Sequence, residues 1–171
     1  GQVDYESPVS KNSKVAAGVK TTIRNSNSTY DVFDLDQGGI YDFNDYLSSD
    51  YTYEEKIYAG YLQFSSQFNK FGYQLGLRAE QYAYNGSIPS QDLKFSPQKD
   101  KLGLYPSVFL TYKLTEQDQF QLNYSRRVDR PNFWQRIPYT DYSDPQNLRT
   151  GNPDLKPEYT NSFELSYNKM F

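Results

Sequence analysis

The residues QFQLNYS, Gln119–Ser125, place Phe120, Leu122 and Tyr124 on one side of an extended chain and Gln121, Asn123 and Ser125 on the other. Successive side chains of a strand point to opposite faces, so a period of two marks a half-buried β-strand and conflicts with the 3.6-residue period of a helix. The alternation recurs in both directions from there. Leu102, Leu104, Val108, Leu110, Tyr112 and Leu114 form one face of the preceding segment, with Tyr105 and Phe109 as exceptions. Phe71, Tyr73, Leu75, Leu77 and Ala79 oppose Gln74, Gly76 and Arg78. Val15, Ala17, Val19 and Ile23 alternate near the start, and Phe163, Leu165 and Tyr167 near the end. Between Tyr58 and Phe64 the favoured apolar face is Tyr58, Gly60, Leu62 and Phe64. About six strands are predicted, with a short extended stub at Val3–Glu6. Pro106 removes a ladder donor from the fourth strand, which predicts an edge or a bulge there.

The connections alternate in length. Ser7 to Ser13, Asn69–Lys70 and Thr115 to Asp118 are short; Ser26 to Asp50, Asn85 to Asp100 and Pro131 to Glu158 are long. All short turns therefore fall at one end of the sheet and all long loops at the other. Outer-membrane barrels have this asymmetry, and each alternating core is near the roughly 9–11 residues that a tilted strand needs to cross a bilayer. The predicted fold is all-β, an antiparallel up-and-down meander forming part of a transmembrane β-barrel, with residues 1–171 as a partial barrel domain. Closed bacterial barrels use an even number of strands from about eight upward, and an open edge is not tolerated in lipid. The remaining strands are thus expected elsewhere. The runner-up is a soluble or surface-exposed β-sandwich, acting as an adhesin or glycan-binding module, which detergent dependence would separate from a barrel.

Composition narrows the chemistry. The chain has neither Cys nor His, which excludes zinc fingers, iron–sulfur clusters, thiol nucleophiles and imidazole bases. No enzyme and no cofactor is expected. With 18 Lys and Arg against 21 Asp and Glu, the net charge of −3 gives no reason to expect nucleic-acid binding. The 18 Tyr and 11 Phe are too many for a disordered chain and suit the aromatic girdles of a membrane barrel. No apolar run approaches the roughly 20 residues of a membrane helix. Gly1 opens the chain without a charged and apolar leader, so a targeting signal is expected to be removed or upstream.

From Ser125 the chain reads SRRVDRP, and later YSDPQNLRTGNPDLKPEYTNSFELSY, with Gly151–Glu158 as the most specific part. These blocks, with FGYQLGLRAEQ at Phe71–Gln81, resemble the barrel domains of TonB-dependent outer-membrane receptors, and look most like the outer-membrane β-barrel family allied to them. The resemblance covers 51–171 well and the first fifty residues more loosely. It implies a bacterial outer membrane location in a Gram-negative cell, and ligand capture and nutrient uptake as the function. It also implies a plug domain and further barrel strands as partners, surrounding outer-membrane lipid, an energy-transducing TonB-type protein and a surface lipoprotein. Within the block, Pro153 and Pro157 bias the chain toward extended geometry, and Gly151 permits a turn, so a stiff lead-in to a strand near Tyr159 is expected.

Candidate site residues remain weighed against plainer roles. If Ser125 faces the lumen, Arg127 shares that face and Arg126 points out at the rim. Arg127 then pairs with a carboxylate such as Glu80 or Glu164, binds an anionic substrate, or meets lipid headgroups. Trp134, Tyr139 and Tyr142, with Phe133, could stack on sugars or planar ligands, or pack as a rim girdle. Asp34 and Asp36 ahead of Gly38 are weak calcium candidates, without EF-hand spacing; solvated surface acid is the plainer reading.

Overall fold

The computed structural model describes residues 1–88, 102–142, 144 and 146–169, with the backbone of Leu93–Lys99. In chain order the elements are β1 (Gln2–Ser10), β2 (Ser13–Tyr30), β3 (Phe33–Leu35), β4 (Tyr41–Phe43), β5 (Ser49–Phe68), β6 (Phe71–Ile88), β7 (Leu93–Lys99), β8 (Gly103–Lys113), β9 (Asp118–Asp129), the single helical turn α1 (Phe133–Arg136), β10 (Thr140–Asp141), β11 (Arg149–Thr150) and β12 (Glu158–Lys169). One antiparallel sheet runs β1-β2-β5-β6-β8-β9-β12, so each main strand lies beside its neighbour in sequence. Strand β7 continues alongside β6 above the stretch paired with β8. Strands β1 and β12 are the two edges and do not pair with each other.

Register makes one face continuous. Ala17, Leu62, Leu77 and Pro106 are aligned partners across four strands, and Tyr73, Leu110, Leu122 and Leu165 across another four. A third row, Phe68, Phe71, Tyr112, Phe120 and Tyr167, is aromatic and lies beside the short turns. Most of these residues are exposed, Leu165 retaining 73 % of its accessible surface and Leu62 59 %, and Ala17, Tyr73, Pro106 and Leu110 are half-buried among them. From Phe68 to Tyr58 the band covers ~33 Å along β5 at ~3.3 Å per residue, or ~25 Å in height at a ~40° tilt. That is the height of the apolar belt of a membrane barrel. The opposite face is polar in the same span: Ser65, Gln74, Phe109, Asn123 and Glu164 are aligned, and Phe109 alone among them is apolar.

The structure extends several expected elements. The stub at Val3–Glu6 is part of a nine-residue strand, joined to β2 by a turn at Lys11–Asn12. The connection expected over Ser26 to Asp50 is shorter, because β2 continues to Tyr30 and pairs with β5 as far as Ser49. Polar residues on both faces hide that extension from any hydrophobic pattern. Part of the second long connection is likewise β6 and β7; its residues 89–92 and 100 lie outside the described ones. Pro106 sits in a regular β6–β8 ladder without a bulge, but β8–β9 pairing ends at Ser107 and Ser125. The missing proline donor thus falls where β8 is locally an edge.

One close approach explains a glycine. A Cβ on Gly18 would lie 2.4 Å from Asp4 Oδ1 and 2.5 Å from the Tyr61 ring. The bare backbone of β2 lets Tyr61 reach across it from β5 and donate its hydroxyl to Asp4 at 2.7 Å. Asn69 takes a positive φ of 51° in the tight β5–β6 hairpin, a conformation asparagine tolerates.

Candidate functional site

Above the membrane-height band the apolar phase of the sheet reverses. Along β6 the odd residues Phe71 to Ala79 are the outward apolar set, whereas Tyr82 and Tyr84 lie on the other face and are buried. Along β5 the same reversal separates Tyr58 and Leu62 from Tyr51 and Tyr53. The result is an inner wall of four tyrosines at the long-loop end. Something must cover it, and the connection between β9 and β12 does.

That connection is held in place by its own sequence. Asn132 Oδ1 accepts the amide of Gln135 at 3.0 Å, and Gln135 Oε1 accepts the amide of Asn132 at 2.9 Å, a capping box around one helical turn. The Gly151–Pro153 stretch grips this turn from the far side. Gly151 and Asn152 donate their amides to Ile137 O at 2.9 Å and Gln135 O at 2.7 Å. A Cβ on Gly151 would lie 2.4 Å from Ile137 O. Gly151 is therefore needed for close approach, not for the turn expected of it; Gly39 is the glycine with positive φ among the described residues. Pro153 O accepts the Tyr84 hydroxyl at 3.2 Å, fastening the clamp to the wall.

Packing completes the dock. Tyr51, Ile88 and Ile137 form one buried cluster, with Tyr30, Phe133 and Tyr139 against it; Tyr53, Tyr82 and Tyr84 form a second, also touched by Phe133. Phe133 lies edge-on to Tyr51 and tilted 5.2 Å from Tyr53, geometries that favour ring pairs. Arg136 is 4 % exposed and lies 4.0 Å above the Tyr84 ring, with Nη1 donating to the Tyr82 hydroxyl at 3.0 Å. Tyr82 and Tyr53 share a hydrogen bond at 3.3 Å. Beneath this layer Glu80 holds two cations: Oε1 meets Arg78 Nε at 2.5 Å and Oε2 meets Arg130 Nη2 at 2.8 Å. Arg130 also stacks 4.7 Å above Tyr82. Farther along, Arg24 pairs with Glu55 at 2.9 Å.

Sheet topology, the outward apolar belt and the alternation of short turns with long connections point to one class of protein. A family model described as the outer membrane protein beta-barrel family matches residues 1–171. The chain belongs to that family. Its place is the bacterial outer membrane, with the apolar belt toward lipid and the tyrosine wall toward the barrel interior. No curated protein and no solved structure matches the chain. The β-sandwich alternative falls with this assignment, since the barrel strands form one sheet whose apolar face is left exposed rather than buried against a second sheet.

The sequence-predicted residues are distributed around the barrel's loop end. Arg127 is exposed and makes no ion pair among the described residues; its partner across the ladder is Thr160. The expected pairing with Glu80 is made by Arg130 instead, because β9 leaves β8 above Ser125 and carries Arg127 away. Glu164 stays exposed on β12. Arg126 stacks on Tyr159 at 5.2 Å. Trp134 stays 65 % exposed and borders a cleft of about 340 Å³ with Arg24, Asn27, Glu55 and Asn132. Tyr139 and Tyr142 border a separate cleft of about 500 Å³ with Asp45, Tyr46 and Ser48. Burial, with Tyr30 nearby, raises the Tyr139 hydroxyl above the usual phenol range, and it donates to Leu47 O at 2.9 Å. Asp36 Oδ1 accepts the Ile40 amide at 2.7 Å and Asp34 Oδ2 accepts Asn44 Nδ2 at 2.6 Å, so both carboxylates brace the β3–β4 hairpin. Among the described residues no group of three or more Asp or Glu is placed to hold a metal ion.

Arg136 and the four wall tyrosines are the residues that sequence reasoning missed. The signal was present: in YTY (Tyr51–Tyr53) and QYAYN (Gln81–Asn85) the tyrosines fall on the opposite parity from the lipid-facing set of the same strand.

Proposed function

We propose that this chain is a wall segment of a larger receptor-type outer-membrane barrel that captures a scarce nutrient at its long-loop end and admits it with help from a TonB-type energised partner. The observation that carries the reading is the docked β9–β12 connection. It fills the inner face of an otherwise polar lumen wall and leaves two clefts at the mouth, one beside Trp134 and one beside Tyr142. A purely structural barrel needs neither. The unpaired edges β1 and β12 support the presence of further strands, because an open ladder in lipid leaves its backbone groups unsatisfied. In this mechanism the sheet is a rigid scaffold, the exposed aromatic rings offer stacking surfaces, and the ion pairs Arg24–Glu55 and Arg78–Glu80–Arg130 line the inner wall.

Growth on single nutrient sources tests it. A strain lacking the protein should lose uptake of at least one scarce nutrient, and an uncoupler of the proton gradient should abolish that uptake in the complemented strain. Trp134→Ala should weaken capture at low nutrient and leave uptake at high nutrient nearly intact. Unchanged uptake across all sources, or uptake indifferent to the uncoupler, would refute the energised-receptor reading.

A further inference from the structure

Arg136 is the one buried guanidinium of the dock, and a brace has no need of it. Its Nε has no hydrogen-bond partner among the described residues. The neighbouring carboxylates are engaged elsewhere, Glu55 by Arg24 and Glu80 by Arg78 and Arg130. What holds the cation is the Tyr82 hydroxyl and two ring faces, Tyr84 at 4.0 Å and Tyr82 at 5.6 Å. Desolvating a charge is costly, and an apolar side chain of similar length would fill the same place at lower cost. Packing is also incomplete there: a cavity of about 10 Å³, room for one water, lies between Tyr53, Tyr84, Phe133, Arg136, Ile137 and Pro153. The clamp on the other side, by contrast, is backbone to backbone through Gly151 and Asn152. The connection therefore carries a well-made internal unit whose contact with the wall is weakened at one residue.

We infer that the helical turn Phe133–Arg136, with its Gly151–Pro153 clamp, is a gate inside the barrel, and that Arg136 is the residue that keeps its docking reversible. Docked, the unit covers the tyrosine wall and narrows the lumen. Undocked, Arg136 regains water, the tyrosines face the lumen, and the passage widens. Only the passage arm of this inference rests on the transport reading.

The test uses the whole protein in liposomes with three side chains at position 136. A brace and a reversible latch differ in what Arg136→Met does. For a latch, methionine fills the site without the desolvation cost, so exchange of the Asn152 and Tyr84-side backbone amides slows at least fivefold, while Arg136→Ala speeds it at least tenfold. Chloride efflux should then rank Arg136→Ala above wild type above Arg136→Met. Acceleration of exchange by methionine as well as alanine makes Arg136 a brace and overturns the gate, as does equal, measurable efflux in all three. The expected exchange order with no efflux from any of the three overturns the transport reading instead. Intact strand content by circular dichroism shows that each variant has folded, and Gly151→Ala, which forces a Cβ against Ile137 O, should speed exchange at Asn152 through the clamp even with Arg136 present.

Discussion

Tyr84 on β6 donates its hydroxyl to the carbonyl of Pro153, 69 residues later in the chain, at 3.2 Å, while Arg136 lies 4.0 Å above the same ring. One side chain thus joins the sheet to both halves of the connection that folds onto it. Tyr84→Phe keeps the ring and removes the hydrogen bond, so it should loosen the connection by about 1 kcal/mol. Tyr84→Leu also removes the platform for the guanidinium and should cost about 1–2 kcal/mol more. Amide exchange at Asn152 measures both; equal effects of Phe and Leu would show that the ring face contributes nothing.

Glu80 holds Arg78 and Arg130 together at the base of the tyrosine wall, with its side chain 10 % exposed and that of Arg130 14 % exposed. Glu80→Gln leaves a largely buried cation without its counter-charge and should destabilise the protein by about 2–3 kcal/mol, below the value for a fully buried pair because solvent still reaches the site. Glu164→Gln, at an exposed position on β12, should stay within about 0.5 kcal/mol. Denaturant unfolding from lipid compares the two, and similar losses would mean that Glu80 is not organising its arginines.

Much of this fold was legible because a membrane imposes a strict rule on a strand: one face apolar for a fixed height. Leu104, Leu110, Leu122, Tyr124, Leu165 and Tyr167 fall on the outward face by alternation, and the register places them there. Beyond the belt the rule lapses. Ser26 to Thr29 extend β2 with polar residues on both faces, and Tyr30 alone turns inward against the Tyr51 cluster, so no pattern marked the stretch as strand. The docked connection was hidden for a different reason. Its partners are tyrosines, which serve equally as girdle, core or ligand platform, and only their parity along β5 and β6 reveals which face they take. The choice of Arg130 over Arg127 depended on where β8 and β9 part, a property of the sheet that no local spacing encodes.

Charge placed on the two faces should separate them energetically. Leu110→Arg puts a cation into the apolar belt and should cost about 2–4 kcal/mol if the residue lies near the bilayer midplane. Thr111→Arg, one residue along and facing the lumen, should cost much less because water can solvate it there. Reversible unfolding from liposomes gives both values, and a larger loss at Thr111 would invert the assignment of faces.

Spin labels report those faces most directly, and the chain's lack of cysteine makes single labelling clean. With cysteines introduced one at a time for Leu110, Leu122, Thr111 and Asn123 in the liposome-embedded protein, labels at 110 and 122 should be accessible to oxygen and shielded from a polar nickel complex, and labels at 111 and 123 the reverse. Labels at 110 and 122 shielded from both reagents would place those residues in a protein core, and the sheet would not be the lipid-facing wall of a barrel.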